Sequence, residues 1–152
     1  MSTGSIEYRW SKMLSNSDVN RNEKHSRNLL SFAKGSIMKD IDDVRNKMMG
    51  NENWQQENTS GQPSECVEIK FDVQLPKLPT ETHILKVWHV PHREAGQNNY
   101  TTSLQWNPAL SSRLRANDYS QHWCIIDKSA SGNYSLTITD KEPTPRSIGF
   151  LD

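Results

Sequence analysis

From Val67 to Leu75 the chain alternates without a break: Val67, Ile69, Phe71, Val73 and Leu75 are apolar, and Glu68, Lys70, Asp72 and Gln74 between them are polar. A period of two cannot keep one face of a helix apolar, so this run predicts a half-buried strand with one solvated side. A strand cannot stand alone, and the rest of the chain must supply partners. Residues 83–90 form a second run, with Ile84, Trp88 and Val90 on one face and Leu85 and Val87 on the other. Apolar residues on both faces suit an interior strand. Between the two runs, Leu75-Pro-Lys-Leu-Pro79 reads as a turn although it carries PxxP spacing. Tyr100–Trp106 alternates weakly through Thr102, Leu104 and Trp106, and NPALSSRLRANDYS (107–120) holds one helical turn. Trp123–Ile126, a turn-forming stretch at 127–132, and the alternation of Tyr134, Leu136 and Ile138 predict a hairpin. KEPTPR (141–146) ends the sheet.

The first third follows another period. Leu30, Ala33, Ile37, Ile41, Val44 and Met48 recur at steps of three or four. That spacing predicts an amphipathic helix over 28–50, with an apolar stripe about 80° wide and Gly50 as its terminator. Residues 1–27 read as a flexible polar arm, and 51–65, NENWQQENTSGQPSE, as a polar linker. The expected fold is therefore α+β: an N-terminal amphipathic helix and, over 66–152, an antiparallel β-sheet or β-sandwich of five to six strands.

Composition narrows the classes. Hydrophobic residues make up 33% of the chain and mean hydropathy is −0.85, so the core must be drawn from a concentrated minority of positions. Eighteen basic residues balance eighteen acidic ones, so no global field favours nucleic acid or acidic lipid. Residues 1–50 hold nine Lys/Arg against six Asp/Glu, including Arg9, Lys12, Arg21, Lys24 and Arg27, with Tyr8 and Trp10 available to stack. An excess near three gives only weak, salt-sensitive phosphate binding, so nucleic acid is a disfavoured partner and a weak nucleic-acid binder acting through this basic arm stands as a second alternative. The opening MSTGSIEYRW lacks the apolar run of a secretory leader, and no stretch approaches the roughly 18 apolar residues of a membrane span. An intracellular protein of cytoplasm or nucleus, with no membrane partner, is the expectation.

Four residues offer metal or thiol chemistry. His89-x-x-His92 and His122-x-Cys124 supply the donor types of a tetrahedral zinc site, and His122 stands near enough in sequence to act as a base for the Cys124 thiol. These residues define an alternative reading, a small thiol- or zinc-dependent enzyme. Against it, the pairs begin on or beside strands and not on tight turns, and a cysteine within HWCII more naturally fills a core. Asp40, Asp42 and Asp43, and Glu65 with Glu68, fall on predicted polar faces, where solvation suffices. No glycine-rich phosphate loop occurs, and no cofactor is expected.

Cys66, Trp88 and Cys124 stand in Cys…Trp…Cys order, Tyr119 precedes the second cysteine, and YSLTITD has the pattern of a sandwich strand. In this the chain resembles the immunoglobulin family, which implies a two-sheet sandwich. It departs from the pattern in placing Tyr119 five residues before Cys124 and the SLTI run after it.

The function expected from these features is a non-enzymatic protein–protein interaction module, an adaptor or a subunit of a larger assembly. The helix stripe (Leu30, Ile37, Ile41, Val44, Met48) and the tryptophans outside the predicted sheet, Trp10 and Trp54, are the candidate partner-binding residues. An oligomer fits the same picture, with no catalytic, cofactor or metal residue assigned.

Overall fold

The computed structural model describes residues 6–14, 29–31, 45, 48–59, 62–89, 102–117, 119 and 121–141. These form one eight-stranded sheet curled into a half-barrel, with a single helix among the described residues. The strands are β1 (Ile6–Met13), β2 (Leu29–Ser31), β3 (Gln55–Thr59), β4 (Gln62–Gln74), β5 (Glu81–His89), β6 (Thr102–Gln105), β7 (Trp123–Ser129) and β8 (Tyr134–Thr139), and the helix is α1 (Pro108–Ala116). Their spatial order is β1-β7-β8-β4-β5-β6-β2, and β3 pairs separately with β4.

The central strand is the alternating run. Val67, Ile69, Phe71 and Val73 of β4 are buried, whereas Glu68, Lys70 and Asp72 face solvent. β5 lies antiparallel to it, Ile69 opposite Leu85 and Lys70 opposite Ile84, and buries Leu85 and Val87 on the same inner face. The turn joining them closes with Leu78 N–H donating to the Leu75 carbonyl at 3.2 Å. The expected hairpin is present: β7 and β8 pair from Trp123–Thr139 to Lys128–Tyr134, and Gly132 takes φ +94 in the connecting turn. A positive φ of that size suits glycine, which has no Cβ to clash.

α1 is longer than the single turn expected. Asn107 caps it by accepting from Leu110 N–H at 2.8 Å, Pro108 occupies the first turn, and Leu110 and Leu114 enter the core four residues apart.

Several expectations are corrected. The sheet is not wholly antiparallel, because β8 runs parallel to β4 from Phe71–Tyr134 to Gln74–Thr137. A single curled sheet replaces the sandwich, so the fold is mostly β and not α+β with an N-terminal helix. Cys66 on β4 and Cys124 on β7 are buried thiols in one sheet with β8 between them, not a bridge between two layers as in an immunoglobulin domain. Within the predicted helix, Leu29–Ser31 is instead a strand paired with β6, and Ile37, Ile41 and Val44 lie outside the described residues. The predicted arm supplies β1, an edge strand whose Trp10 is 1% exposed opposite Ile126. The predicted linker supplies β3 and the start of β4. β3 has exposed Gln55, Gln56 and Glu57, which carry no apolar pattern to read, and it joins β4 through its backbone ladder and a Gln56 Nε2 bond to Glu65 Oε2 at 3.4 Å.

β3 pairs with residues 62–66 of β4 and β8 with 71–74, both on the side away from β5. They lie end to end along β4. Met48–Trp54 lies against the gap: the Met48 carbonyl accepts from Lys128 Nζ at 2.9 Å and from the Tyr134 hydroxyl at 3.2 Å. The Tyr134 hydroxyl also reaches Glu52 Oε2 at 2.9 Å, and the Lys128 ammonium stands 5.5 Å from the Tyr134 ring centre. Burial and then the Glu52 contact push the Tyr134 phenol well above the ordinary tyrosine range, so it stays protonated as a donor.

Candidate binding cleft

A cleft of about 740 Å³ opens at one end of the sheet. Its walls are the β4–β5 turn (Pro76, Lys77), the end of α1 (Ala116, Asn117), the segment entering β7 (Tyr119, His122) and the end of β8 (Ile138, Thr139, Asp140). The volume falls within the range of ligand sites, roughly 300–1,000 Å³.

Strand pairing explains why it exists. β4 and β8 separate after Gln74–Thr137, and the chain turns away at Leu75-Pro76. β8 continues to Thr139, paired there with Trp123 of β7. The side of β8 that faced β4 is thereby uncovered beside Pro76, whose nitrogen cannot donate.

The backbone around this cleft is unusual. Lys77 (φ 63) and Gln121 (φ 66) are the two non-glycine residues of positive φ among the described residues. Lys77 follows Pro76 in a turn closed by the Leu78-to-Leu75 hydrogen bond, the position where a type II turn favours glycine. Gln121 directly precedes His122, and the segment is pinned to the end of β1: Gln121 N–H donates to the Leu14 carbonyl at 2.8 Å, and Leu14 N–H to the His122 carbonyl at 2.8 Å. The His122 ring meets the edge of Tyr119 at 5.5 Å between centres, inclined by 73°.

Beside the cleft, Glu81 Oε1 accepts from His83 Nε2 at 3.0 Å and from Arg113 Nη1 at 2.7 Å. Both donors hold the Glu81 carboxyl below the usual range, His83 contributing most. Because Asn107 Oδ1 is committed to Leu110 N–H, its Nδ2 faces His83 Nδ1 at 2.9 Å. The imidazole therefore accepts at Nδ1, donates at Nε2, and ties α1 to β5. This chain of bonds is a docking device for the helix.

The residues singled out in the sequence are scattered. Trp10 and Met48 are core residues, 1% and 0% exposed, and so are not exposed anchors. Leu30 lies in β2 opposite Leu104. Trp54 is half-buried, donates its indole N–H to the Met49 carbonyl at 2.8 Å, and lies 4.4 Å below the Arg45 guanidinium. That same Arg45 binds Glu65 at 2.7 Å and holds its carboxyl below the ordinary value. His89 is buried with Nδ1 at 2.9 Å from the Thr102 hydroxyl, and His92 lies outside the described residues. His89 on β5 lies opposite Glu65 near the start of β4, whereas Cys124 on β7 lies opposite Ile138, past the Gln74–Thr137 pair at the other end of β4, so the two stand at opposite ends of the sheet with β4 and β8 between them. Among the described residues no three His, Cys, Asp or Glu side chains are grouped to hold a metal ion. Cys124 is 0% exposed, and burial raises the Cys66 thiol, which keeps it from nucleophilic form. Of the cleft residues, His122 alone is a sequence candidate for metal or thiol chemistry. Lys77 had a readable signal, a lysine after proline where a tight turn wants glycine.

No protein-family model matches the chain, and a search of curated proteins gives no match.

Proposed function

We infer that the chain is a non-enzymatic protein–protein interaction module, an adaptor or subunit of a larger assembly, and that the cleft seats a short segment of its partner. The observation that carries this reading is the backbone of Lys77. Left-handed geometry at a residue with a Cβ costs roughly 1–3 kcal/mol, and such strain concentrates at binding sites. Glycine would adopt the turn without that cost, yet a cationic side chain stands there on the cleft wall. Gln121 has the same left-handed backbone directly before His122, which lines the cleft. The lining mixes a buried aromatic (Tyr119), a carboxylate (Asp140), amide and hydroxyl groups (Asn117, Thr139) and the Lys77 cation. Such a surface suits a mixed polar and apolar peptide better than a single small substrate.

Photo-crosslinking tests it. A photoreactive residue in place of Asp140, introduced into the full chain in its native cells, should give an adduct with one defined protein, and Lys77→Gly should abolish that adduct. Absence of an adduct at position 140, or an adduct indifferent to Lys77→Gly, would refute the reading.

A further inference from the structure

The outer face of the central strands, remote from the cleft lining, carries a different kind of surface. Ile84, in the middle of β5, is 59% exposed, the most exposed large apolar side chain among the described residues. Thr82, Lys86 and Trp88 share its face of β5, and Glu68, Lys70 and Asp72 line the same face of β4. The register sets Glu68 beside Lys86, Lys70 beside Ile84 and Asp72 beside Thr82. The Trp88 indole N–H donates to Gln105 Oε1 on β6 at 2.9 Å, and the Lys86 ammonium stands 5.5 Å from the ring centre. The patch thus has an apolar centre, an aromatic, and on β4 and β5 two cations interleaved with two carboxylates, with Glu57 of β3 a further carboxylate at its edge.

We propose that this face packs against the same face of a second copy of the chain. The interleaving of opposite charges on β4 and β5 is the reason for that occupant. A face built for a charged foreign partner would carry an excess of the opposite sign, whereas this one complements itself. Under a two-fold axis parallel to the strands and between β4 and β5, β4 of one copy lies over β5 of the other. Glu68 then meets the second Lys86 and Lys86 the second Glu68, Asp72 reaches Thr82, and the methylenes of Lys70 cover Ile84. Every contact occurs twice, as an isologous interface requires. Sheets stacked face to face stand about 10 Å apart, a spacing that Ile84 and the lysine stems fill.

Sedimentation velocity on the purified full chain, from micromolar to several hundred micromolar, tests the proposal. The mass should rise from that of one chain, 17.5 kDa, toward twice that value. Ile84→Lys should weaken association by at least about tenfold, the effect of losing an interface anchor. A Lys70→Glu/Lys86→Glu chain and a Glu68→Lys/Asp72→Lys chain should each stay monomeric, and their equimolar mixture should recover the dimer. Ile84→Thr keeps a β-branched residue on the strand and should weaken the dimer too, which separates interface loss from misfolding. A wild-type chain that holds the mass of one copy throughout, an Ile84→Lys chain that still dimerises, or charge variants that fail to pair when mixed would overturn the proposal. Lys77→Gly lies outside this face and should leave the dimer unchanged, so the two proposals fail separately.

Discussion

Lys77 sets a residue's local comfort against what its side chain does. Replacing it with glycine relieves left-handed strain but frees the unfolded chain, whose added entropy costs about 0.5–1 kcal/mol. Lys77→Gly should therefore leave thermal stability unchanged or raised by up to about 2.5 kcal/mol, measured by calorimetry, while partner capture at the cleft is lost. Asn107 presents the opposite case, since its amide caps α1 with one atom and positions His83 with the other. Asn107→Ala should cost about 1–2 kcal/mol in denaturant unfolding, more than Asn107→Asp, which keeps the cap acceptor. At this scale the sequence was partly legible. The proline-lysine turn could be read from residue preferences alone, but the Asn107–His83 link joins residues 24 apart and needs the sheet to bring them together.

β4 serves three partners: β5 along one side, β3 and β8 in tandem along the other. Its inner face announced itself through alternation, and so did the β7–β8 hairpin. β3 did not, because an edge strand of glutamine and glutamate buries nothing. The Met48–Trp54 segment at the junction of β3 and β8 gives pH predictions with a definite sign. Glu65 is depressed by Arg45, so its contribution is present above the unfolded carboxyl value and fades as pH falls through the folded one. Glu65→Gln should flatten the acid limb of a stability–pH curve. Tyr134 is raised, so its contribution is complete below the unfolded phenol value and declines as pH climbs toward the folded one. Tyr134→Phe should lower stability at neutral pH by about 1–2 kcal/mol through its lost hydrogen bonds, yet lessen the further loss above the ordinary tyrosine range, read by circular dichroism.

Over the whole molecule, an early strand is stitched to a late one. β1 pairs with β7, and Arg9 grips Asp127 through two hydrogen bonds of 2.7 and 3.0 Å across 118 positions. Contacts this distant in sequence make folding slow, so refolding followed by tryptophan fluorescence should fall in the millisecond-to-second range. Removing residues 1–14 strips Trp10 and Leu14 from the core and should abolish cooperative unfolding, because losing one large buried side chain alone costs about 3–5 kcal/mol. The sequence concealed this closure for a plain reason. IEYRWSKM mixes charges with one tryptophan, and only β7 beside it reveals which side chains face inward.

The parallel contact of β8 with β4 spans four residue pairs, and it fastens β1-β7-β8 to the rest of the sheet. The cleft begins where those pairs stop. A guest lodged there would lengthen that four-pair weld, so occupancy should register as stiffness: slower amide exchange along β8, and a higher force needed to prise β1-β7-β8 from the rest of the sheet.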